Sequence, residues 1–474
     1  MIEFDPAPVL ARLDALRAAD APTHGGHVLS YVYDSGVAAI DELATAAMAR
    51  VQPVNGLDPT TFTSVAVMEG DVVGFARALF HGDDDVVGSV TTGGTESCLL
   101  AVKTARDTWA GEGRPRLVAP ETVHAAFQKA AHYFGLELDL VPVDERGAVS
   151  AASMIERLGP DVAIVVVSAP GYPTAQLDPI AQVAAAALDR GIHCHVDACI
   201  GGFALPFWSS APVFDFVLPG VTSISADLHK YGYAPKGVSV LLTRGRDRQR
   251  AQFFATTRWA GYPVINPTVL GSKAAGPLAA AWAILQALGA EGLGELMSGA
   301  ERATTALQDA VTAIEGLRIV GDPVGPLFAV ATDDSVEPDR RVDPHHWADA
   351  ARGLGWFVQQ QPAYGAVPPT GHLTVTPVTE SVAGELAAAL AAAADAVRGV
   401  PHVDVAPMLA GFDGVGELDS ATAGDILRSL GIGEGASGLP EQMAPLLALI
   451  EALPRDLSER LLIELIGRVV EPRP

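Results

Sequence analysis

The feature that most constrains this chain is an alternation of short β-branched runs with longer helical stretches through its middle. The run VAIVVVSAP, beginning at Val162, is apolar on both faces of an extended strand. Strands of that kind need cover on both sides, which predicts a mainly parallel sheet clothed by helices. Strands are expected over 86–91, 138–143, 162–168, 192–197, 214–218 and 238–243, and helices over 96–110, 124–134 and 179–190. Strand and helix alternating at this spacing is the pattern of an α/β domain. From about residue 310 the pattern becomes that of a smaller α+β unit. It has runs over 318–331, 357–358 and 372–376, a helix near 345–354 and an alanine-rich helix over 381–398. Residues 401–440 carry many Gly, Asp and Ser, and 442–470 repeat Leu and Ile at helical spacing, broken at Pro454. The simplest reading of that end is two helices packing on the body or on a second subunit.

Composition narrows the function classes. At 49% hydrophobic and 18% charged, the 474 residues can bury a substantial core. A formal charge of -25 repels nucleic acid and anionic membranes, so neither is an expected partner. An anionic ligand would bind only where a few cations converge. No apolar run reaches the roughly 20 residues of a membrane helix, and the N-terminus lacks the basic and apolar regions of a secretory signal. Cys98, Cys194 and Cys199 cannot make a disulfide framework and suit a reducing compartment. Cys194 and Cys199 have no second metal-type pair beside them, so no metal is expected. The expectation is a soluble cytoplasmic protein with no membrane-spanning segment.

Three short segments carry chemistry. In GSVTTGGTES (88–97) a strand runs into two glycines, and Thr95 and Glu96 open a helix. Such a turn brings backbone N–H groups up to an anion such as phosphate, although many structural turns look the same. In HCHVDACIGGF (193–203), Asp197 ends a strand, where ligands of open α/β sheets gather. It is either a helix-capping residue or the anionic partner of a buried cation such as a protonated pyridine nitrogen. In SISADLHKYGYAPKGVSVLLT (223–243), His229 and Lys230 stand among small apolar residues, with Lys236 in the loop beyond. Burial there is expected to depress the Lys230 pKa, as an amine nucleophile forming a Schiff base requires. A lysine, a carboxylate and a phosphate cup are the parts that pyridoxal 5'-phosphate needs. His124 would add a flat ring stacked on the cofactor, or is simply a surface or capping histidine.

The motifs VTTGGTES (90–97), HAAFQKAAHYFG (124–135), SAPGYPTAQLDPI (168–180), HVDACIGGFALPFW (195–208), FDFVLPGVTSISADLHKYGYAPKGVSVLL (214–242) and NPTVLGSKAAGPLAAAW (266–282) resemble the group II pyridoxal-phosphate-dependent decarboxylase superfamily, most of all its sphingosine-1-phosphate lyase branch. The resemblance covers roughly residues 25–300 and implies the fold of pyridoxal-phosphate fold type I. That means a large domain on a mainly parallel seven-stranded sheet plus a small α+β domain. The chain is expected to divide into an N-terminal segment (1–60) with dimer and active-site contacts, a large cofactor-binding domain (61–310), a small domain (311–400) and, beyond the reach of the resemblance, a helical extension (401–474). The resemblance implies Lys230 as the Schiff-base lysine, Asp197 as the pyridinium partner and His124 as the stacking ring. Gly94, Thr95, Ser225 and His229 would surround the cofactor phosphate, with Gly271 and Ser272 supplied by the neighbouring subunit of a homodimer. Tyr33 and Lys236 would lie near the substrate's phosphate or reacting centre.

The chain also departs from that branch. The loop usually reading N-P-L-H is Asn55-Gly56-Leu57-Asp58 here, and an aspartate where a histidine helps bind phosphate would repel a dianion. Thr174 replaces a common histidine and Lys273 a common arginine. Asn55, Asp58 and Lys236 are therefore the candidate substrate contacts, and Asp58 could meet an ammonium or hydroxyl instead. The implied reaction is retro-aldol cleavage of a β-hydroxy amine to an aldehyde and an amine. The alternative on the same scaffold is α-decarboxylation of an amino acid.

Overall fold

A computed structural model describes residues 2–409, 418–429, 432, 440 and 442–472. Its main layer is a sheet of seven strands: β1 (Val86–Thr91), β2 (Arg116–Pro120), β3 (Glu137–Val141), β4 (Val162–Ser168), β5 (His193–Asp197), β6 (Ser223–Ala226) and β7 (Ser239–Arg244). Their spatial order is β1-β7-β6-β5-β4-β2-β3. Pairings from β3 through to β6 are parallel, whereas β7 runs antiparallel to both β6 and β1. Every residue of β4 is buried, as its unbroken apolar run requires. The helices Gly94–Thr108, Ala125–Phe134 and Ile180–Arg190 connect these strands and cover the sheet.

Two strands escape the sequence pattern. β2 opens on Arg116 and ends on Pro120, and β6 is only Ser-Ile-Ser-Ala, so neither shows a β-branched run. The run over 214–218 is not a strand. Asp215 Oδ1 accepts the N–H of Val217 at 3.0 Å to form a turn, and Phe214 and Phe216 are buried in the core. Core burial of a turn thus produced an apolar run that looked extended.

A short hairpin, β8 (Phe254–Thr256) and β9 (Val264–Asn266), follows. The small domain then forms a four-stranded antiparallel sheet from β10 (Leu317–Ile319), β11 (Leu327–Thr332), β12 (Gln359–Gln361) and β13 (Thr370–Thr374), in the order β10-β11-β13-β12. The single run over 318–331 is therefore two strands. Helices Pro344–Gly353 and Thr379–Val397 pack on this sheet around Trp347, Phe328 and Leu390. Leu29 joins the same core, and its carbonyl accepts the N–H of Thr374 at 2.8 Å. The N-terminal segment is thereby sewn to the small domain, while the helix Ala7–Arg17 has no buried residue. Pro454 separates two C-terminal helices, Ala444–Ala452 and Arg455–Val470. They share a small core with the helix Ser420–Ser429 through Leu427, Leu449, Leu461 and Leu465. No described helix is long and apolar enough to cross a membrane.

Candidate active site

The carboxyl ends of the central strands open into two adjoining cavities. The outer, of about 490 Å³, is lined by Thr92 to Glu96, His124, Asp227, His229, Lys230, Val269 and Leu270 among others. The inner, of about 260 Å³, is bounded by Tyr31, Tyr33, Tyr172, Asp197, Ile200 and Gln359 among others. Lys230, His124 and Cys199 border both.

Lys230 stands just after β6. Its Nζ lies 3.1 Å from Asp227 Oδ2, and Asp227 is buried. Burial alone would lower the lysine's pKa, as expected from the sequence. The Asp227 carboxylate outweighs it, and the ammonium is held above the ordinary lysine range. The expected depression is therefore wrong for this arrangement. Asp227 is also the cavity-lining residue that sequence reasoning passed over, although an acid three residues before a buried lysine was a signal. Its other oxygen, Oδ1, accepts from Ser239 Oγ at 2.5 Å, and Oδ2 lies 3.6 Å from His229 Nε2. His229 Nδ1 is buried and has no hydrogen-bond partner.

Asp197 ends β5, and its Oδ1 accepts the N–H of Cys199 at 3.0 Å. Burial would raise its carboxyl. His124, the Cys199 N–H and His195 together hold it below the usual range, so Asp197 is an anion at neutral pH. Of the two readings that the sequence left open for His124, the structure shows the helix cap. His124 borders both cavities, and its Nδ1 accepts the N–H of Ala126 at 3.2 Å to cap the helix Ala125–Phe134.

The first turn of the helix Gly94–Thr108 forms the end wall of the outer cavity. Its leading N–H groups have no partner within the helix. A Cβ at Gly94 would meet both Asp227 oxygens at 2.7 Å and Cys199 Sγ at 2.8 Å, so only glycine lets this turn sit so close to the lysine's partner. Glu96 braces the turn, accepting from Thr92 N at 2.6 Å and from Val269 N at 2.8 Å.

The other expected residues are less uniformly placed. Tyr33 lines the inner cavity, and burial pushes its phenol up to about 12. Lys236 Nζ sits 4.4 Å from the centre of the Tyr33 ring and donates to the His229 carbonyl at 3.0 Å. Partial desolvation and the nearby Lys230 lower it to about 8. Ser225 lies beneath the site, fully buried, with its hydroxyl 3.1 Å from His195 Nε2 and 3.3 Å from Cys199 Sγ. Asn55 and Ser272 pair with each other at 3.1 Å, beside an exposed Gly271.

Asp58 braces its own turn. Its carboxylate accepts from the N–H and hydroxyl of both Thr60 and Thr61, which lowers its pKa to about 2. It borders neither cavity. Tyr172 and Gln359 were not legible beforehand. They come from distant parts of the chain and meet at 2.6 Å through the Tyr172 hydroxyl and Gln359 Oε1.

Residues 60–330 match the "Pyridoxal-dependent decarboxylase conserved domain". The chain belongs to that family. Residues 384–468 match a second model, "Pyridoxal-dependent enzyme, C-terminal putative HTH domain". Within the family the chain lies in the sphingosine-1-phosphate lyase branch. It is 30% identical to a sphingosine-1-phosphate lyase structure from Burkholderia pseudomallei, with a TM-score of 0.78 over 88% of this chain and 96% of that one. It is 38% identical over 335 residues to sphingosine-1-phosphate lyase 1 of Rattus norvegicus, covering 69% of this chain and 59% of the rat protein. The chain thus spans about three-fifths of that curated relative's length. Glutamate decarboxylase of Lactobacillus brevis, at 19% identity and a TM-score of 0.75, shares the fold over 85% of this chain.

Pyridoxal phosphate is the family's cofactor, and the residues present fit it. A buried anion at Asp197, a lysine bordering both cavities, an unpartnered His229 Nδ1 and a helix end kept open by Gly94 match its pyridinium, aldehyde and phosphate ends in turn.

Proposed function

We propose that this chain is a pyridoxal-phosphate-dependent carbon–carbon lyase that splits a β-hydroxy amine into an aldehyde and an amine. The observation that carries the proposal is the grouping of Lys230, Asp227, His124, Tyr33 and Asp197 around two joined cavities, in a chain of the sphingosine-1-phosphate lyase branch. Bound pyridoxal phosphate supplies an electron sink for the charge left at the substrate's α-carbon. Lys230 would hold the cofactor, with the Asp227 carboxylate as the ion-pair partner of its Nζ until then. Asp197 would keep a proton on the pyridine nitrogen, and His124 would cover the ring. Gly94, Thr95 and His229 would receive the phosphate, and Ser225 would support them from below through His195 and Cys199.

Tyr33 remains a phenol at neutral pH, so it would donate a hydrogen bond to the substrate rather than act as the resting base. Lys236, near pH 8, is the group beside it whose proton exchanges most readily, and as a cation it would attract a substrate phosphate. The inner cavity, of about 260 Å³, suits a small amino-alcohol headgroup, with any tail lying outside it.

We read the protein as a homodimer. Trp259, Tyr262, Ile265, Val269 and Leu270 are exposed apolar residues of one short stretch of chain, and the last two border the outer cavity, where Gly271 and Ser272 of a second copy would add to the phosphate site. Three free buried cysteines suit the cytoplasm. The acidic charge argues for the C-terminal helices as packing elements and against nucleic acid as a partner.

The deciding experiment is product mass spectrometry on the cofactor-loaded protein. The panel holds a sphingoid phosphate, shorter β-hydroxy amines with and without phosphate, and common amino acids. An aldehyde with its matching amine is expected, and Lys230→Ala should release neither. Carbon dioxide with a primary amine would replace the lyase reading by decarboxylation.

A further inference from the structure

Away from the cofactor, three groups with no part in this chemistry converge where the C-terminal extension meets the small domain. Asp343 caps the helix Pro344–Gly353, its Oδ1 accepting the N–H groups of His345 and His346 at 2.9 Å each. Its Oδ2 faces His402 Nδ1 at 2.8 Å. His345 is completely buried, and its Nε2 lies 2.8 Å from the Gln361 carbonyl. A carbonyl only accepts, so the ring proton sits on Nε2 and Nδ1 carries a lone pair. That Nδ1 is buried without a hydrogen-bond partner. One ring nitrogen from each histidine and one Asp343 oxygen lie within 4.8 Å of one another.

We propose that Asp343, His345 and His402 bind one divalent transition-metal ion of the zinc class. Two imidazoles and a carboxylate are a donor set for such ions, and three protein ligands leave a position for water. Both histidines have the outer support that metal-binding imidazoles have. The Gln361 carbonyl fixes the His345 ring, and Glu451 Oε2, 3.2 Å from His402 Nε2, fixes the other. A charged His402 bridging Asp343 and Glu451 would explain His402 alone. It leaves the stranded lone pair of His345 with no purpose.

Access is present. Asp343 and His402 border a cavity of about 600 Å³, and the His402 side chain is 39% exposed, so it has room to turn toward an ion. The ion would fasten the start of the C-terminal extension to the small domain, with Glu451 tying in the helix Ala444–Ala452. Gln361 ends β12, and Gln359 at its other end borders the inner cavity, so the clamp lies one short strand from the catalytic site.

The test uses full-length, cofactor-loaded protein stripped of metals by dialysis against a chelator. Cobalt(II) is titrated in and followed by its visible d–d absorption, and zinc(II) is followed by metal analysis after gel filtration and by Tm. The expected result is one ion per chain, a Tm raised by several degrees with zinc, and affinity reduced by more than about tenfold in His402→Gln and in His345→Gln. Because His402 is partly exposed, its variant should fold even if the His345 variant does not. Absence of cobalt bands and of zinc uptake overturns the proposal. So does uptake unchanged in both variants, which would move the ion to the buried Cys98, Asp197 and Cys199 group under the cofactor cavity. A Tm loss in His402→Gln that is the same with and without zinc overturns it too, and leaves the ion-pair bridge.

Discussion

At the scale of single residues, charge placement governs the site. Asp227 reverses the effect of burial on Lys230 and keeps its amine protonated until chemistry claims it. Asp227→Asn removes that hold, and burial then dominates. The lysine pKa should fall, and the pH at which the lysine accepts added cofactor should move downward, which spectrophotometric titration with pyridoxal phosphate will read. Lys236 makes a second prediction. It is a cation below about pH 8 and neutral above. If it receives a substrate phosphate, KM for a phosphorylated amine should rise as pH climbs through 8, while KM for the unphosphorylated analogue stays level. Lys236→Met should raise the first KM at pH 7 by at least about tenfold, the value of one charge-assisted contact, and remove its pH dependence. Asp58 teaches the reverse lesson. Its type and position suggested a ligand contact, and what the structure shows is a carboxylate engaged by the threonines of its own turn.

At the scale of elements, the site depends on where a helix begins. The turn at Gly94 delivers free N–H groups to the cavity because no Cβ stands between it and Asp227. Gly94→Ala would force a carbon to 2.7 Å from that carboxylate, so the helix end must retreat. Affinity for pyridoxal phosphate should fall by more than about tenfold, a loss of roughly one or two charge-assisted hydrogen bonds. Far-UV circular dichroism should be unchanged, since the rest of this 15-residue helix keeps its packing. The strand β12 is a second such element, linking Tyr172 through Gln359 to His345 through Gln361.

For the whole molecule, the large sheet, the small domain and the C-terminal helices each have their own apolar core. Polar staples join them. Asp349, on a small-domain helix, accepts the N–H groups of Met443 and Ala444 at 3.0 and 2.9 Å, capping the helix Ala444–Ala452 from outside its own segment. It also accepts from Gln360 Nε2 at 2.9 Å. Asp349→Ala should cost about 1 kcal/mol as a lost cap. Hydrogen exchange should speed up in residues 442–472 first, ahead of the large sheet, and an even response across the chain would show that the extension is not a separate unit.

The sequence by itself determined the α/β class, the position of most strands and the cofactor motifs, because these rest on local periodicity and contiguous residues. A buried strand such as β4 must be apolar throughout, and Lys230 lies within one short stretch with Asp227 and His229. Tertiary structure alone decided what depends on distant partners. It showed that the run over 214–218 is a buried turn, that Ser225 lies under the cavity, and that Asp58 braces its own turn. It also brought Tyr172 to Gln359, and His402 to Asp343 and His345. Those pairs are separated by scores of residues, and no local pattern records which side chains will share a few ångströms once the chain has closed on itself.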